Sequence, residues 1–160
     1  MSTHRYPPSA LRGDYARAGL GLALTLGPAA MVQPGSGALW VLGPLALLFA
    51  VFALRTLGRQ LAVVELRPDG ITVAGLGRSA LDWGEISSMR LDYYSTRGDR
   101  TGGWMQLTAK GPSGKIRVDS ALEDFVAVVR AASDAARAAG LEVSEATRAN
   151  LGHLGIVLDE

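Results

Sequence analysis

Two apolar stretches near the start of the chain, residues 18–32 and 38–54, contain no charged residue. The polar break between them, residues 33–37, is also uncharged. Extended slightly, the stretches predict helices over about residues 16–33 and 38–57, each near the ~20 residues that cross a bilayer core. The pattern therefore predicts a two-helix transmembrane hairpin within an N-terminal region, residues 1–59.

Arginines border both ends of this predicted hairpin. Arg17 precedes the first stretch, and Arg55 and Arg59 follow the second. By the positive-inside rule, both ends face the cytoplasm, which predicts a multi-pass protein of the inner (plasma) membrane with both termini cytoplasmic. Pro28 and Pro44 lie near the turn, and proline kinks or ends helices, so a re-entrant hairpin that does not reach the far side stays open.

Small residues recur along both predicted spans at helical spacing. They are Gly19, Ala23, Gly27, Gly43, Ala46, Ala50 and Ala53. In lipid, small residues let helix backbones approach each other closely. We therefore expect these stripes to form helix–helix contacts within the membrane, with an external membrane partner as the alternative.

After residue 60 the pattern changes to short alternating segments separated by turn residues. Six segments are typical of strands: residues 61–67, 71–74, 79–82, 89–94, 104–109 and 115–119. Successive antiparallel strands of this kind predict a sheet that curls into a sandwich or barrel. The predicted fold class is therefore α+β, with this domain occupying residues 60–140.

An amphipathic helix is predicted after the strands, over residues 122–139. Ser120 and Glu123 form a capping-box pattern at its start, and Gly140 is placed to end it. Its apolar residues fall on one face, which must cover another element. The C-terminal segment, residues 141–160, contains a second short helix over residues 144–151, with Ser144 as its N-cap.

This layout resembles the bacterial pleckstrin-homology-like (PH-like) membrane proteins with an N-terminal two-helix anchor. The matching segments are residues 68–71 (PDGI) at the first turn, residues 81–86 (LDWGEI) after the third strand, and the capped helix. The resemblance implies a PH-like antiparallel β-barrel or sandwich capped by a C-terminal amphipathic helix. That barrel has seven strands, one more than the pattern indicates here. No lipid-phosphate-binding basic motif is carried over.

Charge and composition exclude several function classes. Residues 61–160 hold eleven Lys/Arg and fourteen Asp/Glu, a net charge of −3 that argues against nucleic-acid binding. The chain has no cysteine, and its only histidines, His4 and His153, are near opposite ends. The sequence therefore predicts no metal site, no cofactor and no catalytic residues, and we expect the protein not to be an enzyme.

The predicted contact site is the glycine-rich loop at residues 96–103 with the tryptophan that follows it. Arg97, Arg100 and Trp104 are its candidate residues. The arginines are suited to the carboxylates of a protein partner, while a plain solvated turn and contact with lipid headgroups are the alternatives. Trp83 is interpreted as a core or barrel-edge residue in preference to a ligand platform.

These observations predict a non-enzymatic inner-membrane protein that presents a cytoplasmic PH-like domain to a protein, in preference to a lipid. Its expected partners are the bilayer and a membrane or cytoplasmic protein. The first alternative is a small accessory or assembly subunit of a larger membrane complex, with the small-residue stripes packed against that complex. The second alternative is a membrane-bound enzyme.

Overall fold

The computed structural model describes residues 1–95 and 103–157 of the chain. The chain divides into two compact units. A helical unit comprises residues 7–61, and a sheet unit combines residues 1–6 with the chain from residue 62 onward.

The helical unit consists of α1 (Pro8–Met31) and α2 (Leu39–Gln60), which pack against each other in antiparallel directions. Gly21 faces the ring of Phe49 so closely that a Cβ atom added to it would lie 2.2 Å from Phe49 Cδ1. About two helical turns farther from the connecting turn, the Asp14 carboxylate accepts a hydrogen bond from Arg59 at 3.3 Å. The glycine contact and the ion pair together fix the alignment of the two helices.

The predicted two-helix transmembrane anchor is wrong, because only α2 among the described helices is long and apolar enough to cross a membrane. Its most apolar part has a mean hydropathy of 1.9. α1 carries Arg12, Asp14 and Arg17 in its first half and ends at Met31, which leaves an uncharged part shorter than the ~20 residues a span needs. A multi-pass topology is therefore not supported.

The sheet unit contains seven strands among the described residues. They are β1 (Ser2–Arg5), β2 (Val63–Leu66), β3 (Gly70–Ala74), β4 (Arg78–Asp82), β5 (Ser88–Tyr94), β6 (Trp104–Gly111) and β7 (Gly114–Asp119). They form two antiparallel sheets, one of order β1-β2-β3-β4 and one of order β5-β6-β7. The prediction was one sheet that curls into a sandwich or barrel of PH-like type, and the structure has two small antiparallel sheets instead.

The seventh strand, β1, comes from the N-terminus and was not predicted. It pairs with β2 in the register Ser2↔Leu66 to Arg5↔Val63. Its four residues are mostly polar, and they become a strand only through this pairing with residues beyond the helical unit. Close to the end of β1, the Tyr6 hydroxyl accepts a hydrogen bond from the Asp119 N–H at 3.3 Å.

The core of the sheet unit is formed by the inner faces of both sheets and by α3 (Phe125–Ala138) and α4 (Glu145–His153). The largest fully buried side chains of this unit are Val64, Ile71, Leu81, Leu91, Leu107, Ile116, Val118, Val128, Val129, Thr147 and Leu151. Helix α4 is fixed to β5 by polar contacts. The Asn150 side chain donates to the Leu91 carbonyl at 2.8 Å, and the Leu91 N–H donates to Thr147 Oγ1 at 3.3 Å.

Helix α3 begins later than predicted, at Phe125, and without the capping box. Ser120 Oγ instead accepts a hydrogen bond from the Met105 N–H at 3.1 Å, so this side chain joins the loop to β6. Asp124 precedes the helix in a left-handed conformation with φ of 54°. The predicted end is confirmed, since Gly140 follows the helix with φ of 64°. The predicted N-cap of α4 is also confirmed, because Ser144 Oγ accepts from the Thr147 N–H at 3.2 Å.

We expect Phe125→Ala to destabilise the sheet unit. The Phe125 side chain is only 5% exposed, and its removal leaves a cavity that typically costs about 3–5 kcal/mol. The measurement is thermal unfolding of the full chain in a mild detergent. Val126→Ala is the matched control, because Val126 lies next in the helix and is 39% exposed. Equal melting temperatures for both variants would contradict the packing role of Phe125.

Candidate functional site

The sheet β5-β6-β7 separates apolar and polar side chains because successive strand residues point to opposite faces. Leu91, Leu107, Ile116 and Val118 point inward and are at most 1% exposed. The alternate positions of the same strands are polar or charged and face outward. The outer surface of this sheet is the candidate functional site.

Four cations lie on this outer surface, which we call the basic face: Arg90, Lys110, Lys115 and Arg117. All four side chains are exposed. The register places Lys110 directly opposite Lys115, while Arg117 and Arg90 both lie opposite Thr108. Side chains directly opposite each other in a sheet have Cβ atoms about 5 Å apart. The register therefore concentrates positive charge across the three adjacent strands β5, β6 and β7.

One of the four cations is neutralised within the sheet. The guanidinium of Arg90 donates to both carboxylate oxygens of Asp92 at 3.0 Å. Among the described residues, no carboxylate lies within 4.0 Å of Lys110, Lys115 or Arg117. These three cations therefore keep their capacity to bind an external anion.

The pKa values of an unpaired and a paired cation of the basic face are shifted in opposite directions. The positive charge of Arg117 lowers the pKa of Lys115 below its ordinary value, with smaller contributions from desolvation by neighbouring atoms and from the charge of Lys110. By contrast, the hydrogen bond to Asp92, followed by the charge of that carboxylate, raises the pKa of Arg90. An anion bound beside Lys115 would reverse the first effect by stabilising its ammonium group.

The basic face contains a depression of about 130 Å³ between its polar side chains. Tyr94 and Trp104 lie opposite each other at one end of β5 and β6. Their rings stack with centroids 5.5 Å apart and an angle of 22° between planes, and both are about two-fifths exposed. The face therefore combines unpaired cations with an exposed aromatic pair.

The structure describes one of the three predicted contact residues. Trp104 begins β6 and belongs to the aromatic pair. Arg97 and Arg100 lie outside the described residues, so the loop at residues 96–103 stays a prediction as a contact site.

The predicted small-residue stripes have two different surroundings. In α1, Gly19, Ala23 and Gly27 are exposed, and neither glycine has a neighbour within 4 Å of an added Cβ atom. Gly43 in α2 is likewise open, whereas Ala46, Ala50 and Ala53 are half-buried. The close helix contact uses Gly21, which lies outside the predicted stripe.

A larger groove of about 440 Å³ lies elsewhere on the sheet unit. Its lining is largely apolar and includes Leu66, Pro68 and the half-buried Trp83. Its charged residues have partners outside it: Arg67 with Asp69 at 3.3 Å, and Asp134 with Arg137 at 2.8 Å. The groove therefore lacks the convergent polar groups that would define a ligand class.

A serine, a histidine and an aspartate meet at the start of the sheet unit. Ser2 Oγ lies 2.8 Å from His4 Nε2, and His4 Nδ1 lies 3.9 Å from Asp124. The second distance is too long for the hydrogen bond that orients a catalytic imidazole. Among the described residues, no group of three or more His, Asp or Glu side chains is placed to hold a metal ion.

The comparisons with known proteins place no further constraint on the site. No protein family, no curated protein and no solved structure matches this chain. The candidate site therefore depends on its own geometry and charge.

Sequence analysis missed the basic face, although a signal for it was present. The turn residues Pro112 and Ser113 connect β6 to β7, and a two-residue turn pairs the residues on either side of it, Gly111 with Gly114. The next pair outward is then Lys110 with Lys115. The position of Arg90 beside them depends on how β5 pairs with β6. The connection between these two strands is longer than a two-residue turn, so it does not predict their register.

We expect Arg117→Gln to raise the pKa of Lys115 toward its ordinary value, because Arg117 is the main cause of its lowering. The measurement is an NMR titration of the lysine side chains in the full chain. Arg78→Gln is the control, since it removes an exposed cation from β4, in the other sheet. A Lys115 titration unchanged by Arg117→Gln would show that the two side chains do not share an electrostatic environment.

Proposed function

We propose that this chain is a non-enzymatic protein of the bacterial inner membrane. Its helical unit associates with the bilayer, and its sheet unit binds a protein partner on the cytoplasmic side. The observation that carries the proposal is the exposed apolar surface of α2. Its large exposed side chains are Trp40, Val41, Leu45, Leu47, Leu48, Val51, Leu54 and Leu57. A soluble protein rarely leaves such a surface in water, and a helix that is apolar all round is typical of a lipid environment.

The cytoplasmic assignment is supported by arginines and by strand pairing. Arg12, Arg17, Arg55 and Arg59 flank the uncharged parts of α1 and α2, which favours the cytoplasm for these ends. Because β1 pairs with β2, both ends of the helical unit connect to one sheet. The residues that precede and follow the helical unit therefore lie on the same side of the bilayer.

A PH-like origin of the sheet unit is part of this proposal. The seven strands and the amphipathic helix α3 that follows the last of them support it, since the family combines seven strands with a C-terminal helix.

The sidedness can be tested with single-cysteine variants, because the chain has no cysteine of its own. Thr3→Cys in β1 and Ser79→Cys in β4 introduce exposed thiols before and after the helical unit. We expect a membrane-impermeant maleimide to label both in inverted inner-membrane vesicles and neither in intact spheroplasts.

Detergent-solubilised protein is the control for reactivity, and both variants must be labelled there. Labelling of the two positions from opposite sides would contradict the expectation that the residues before and after the helical unit lie on the same side of the membrane. Recovery of the protein in the soluble fraction would contradict membrane association itself.

A second candidate function, an accessory subunit of a larger membrane complex, is favoured by the open small-residue surface of α1. Gly19 and Gly27 leave room for a closely packed neighbour. Under this function, Gly19→Leu should release the protein from its complex in mild detergent without lowering its melting temperature. Gly21→Leu is the contrasting variant: its side chain would clash with Phe49, so it should lower the melting temperature directly. A Gly19→Leu variant that keeps the same partners would contradict the subunit function.

A further inference from the structure

The unpaired cations of the basic face form a site that the proposed function does not by itself identify. Lys115 and Arg117 are two residues apart on β7 and point to the same side, about 7 Å apart along the strand. Lys110 faces Lys115 from β6. Like charges placed directly opposite each other destabilise a sheet, so the arrangement is unfavourable until an anion binds.

We infer that the basic face binds an extended acidic segment of a protein, with carboxylates at alternate positions along β7. This inference rests on the proposed protein-binding function and names its partner class. An extended chain repeats its side chains on one side every two residues, which is the spacing of Lys115 and Arg117. Two carboxylates of such a segment can therefore meet both cations at once.

The shape of the face favours a protein segment over an isolated phosphate. Phosphate sites typically use backbone N–H groups at a helix N-terminus or a bidentate arginine. The N–H groups of the central strand β6 are used within the sheet. Of the two arginines on the face, Arg90 already binds Asp92, which leaves only Arg117 for a bidentate contact. The basic face offers side-chain cations spread along a strand, which suits several spaced carboxylates better than one compact anion.

Tyr94 and Trp104 add an apolar contact at one end of the face. Their exposed stacked rings lie where β5 and β6 begin their pairing, on the same outer side as the cations. Aromatic side chains are enriched where proteins bind each other, because they bury much area at little entropic cost. We expect the bound segment to place an apolar residue against this pair.

The test uses two synthetic peptides of the same composition, one with glutamates at every second position and one with glutamates at every third position. Only the first, the alternating peptide, places neighbouring carboxylates on the same side of an extended chain. Binding is measured by fluorescence anisotropy to the full chain in an uncharged detergent at low salt. We expect the alternating peptide to bind more tightly, and its affinity to fall as salt rises. Lys115→Gln with Arg117→Gln should weaken it about threefold to tenfold, the loss of two exposed ion pairs.

Two variants serve as matched controls. Arg78→Gln with Arg130→Gln removes the same number of exposed cations from other surfaces of the sheet unit and should leave the affinity unchanged. Arg90→Gln should have a smaller effect than either change on β7, because Arg90 is already paired. Equal affinities for the two peptides, or an unchanged affinity in the β7 double variant, would overturn the inference.

Anionic phospholipid vesicles distinguish the remaining partner class. Protein freed of detergent is tested for binding to anionic and to neutral vesicles. The inference is wrong if neither peptide binds and the protein prefers anionic vesicles, with a preference that is lost when Lys115 and Arg117 are replaced. The basic face would then recognise lipid. Failure of the proposed membrane association is seen separately, in the cysteine-labelling experiment. Peptide binding by a protein that proves to be soluble would therefore overturn the localisation and leave the acidic-segment site in place.

Discussion

The pairing of β1 with β2 is the interaction on which the rest of the structure depends. It joins the first residues of the chain to a strand that follows the whole helical unit. Bringing distant residues together has an entropic cost that grows slowly with the length of the intervening chain. Here that chain folds into two antiparallel helices, so its own packing already brings its two ends close together. The Gly21–Phe49 contact and the Asp14–Arg59 ion pair therefore favour formation of the sheet.

Strand β1 shows why part of the sheet could not be predicted. The six other strands alternate apolar and polar residues and are bordered by turn residues, and these local signals predicted them. Residues Ser2 to Arg5 have no such pattern, and only a partner far along the chain makes them a strand. For the same reason the surroundings of His4 could not be predicted: its side chain is buried, 5% exposed, beside Ser2 and Asp124.

The incorrect predictions about helices have local causes. The uncharged stretch that begins at residue 18 was extended into a span, but the helix that contains it starts at Pro8 and includes three charged residues before that point. Ser120 and Glu123 have the spacing of a capping box, yet Ser120 binds the backbone of Met105 instead. Since serine hydroxyls accept hydrogen bonds from any nearby N–H, spacing alone does not determine which donor they use. At Gly140, by contrast, the left-handed conformation requires glycine, and the prediction was confirmed.

The charges of the sheet unit are distributed unevenly over its surface. A net charge of −3 over residues 61–160 suggests a weakly acidic surface, but the average conceals a local excess of cations on one sheet face. Arg90 and Asp92 neutralise each other, whereas Lys110, Lys115 and Arg117 have no carboxylate partner within the part of the chain that the structure describes. An acidic partner is attracted to this face and repelled by the acidic remainder of the unit.

Such a charge distribution contributes orientation and specificity more than affinity, because exposed ion pairs contribute only about 0.2–1 kcal/mol each. A module held at a membrane gains from this arrangement, since confinement raises the local concentration of its partner and weak oriented contacts are then sufficient.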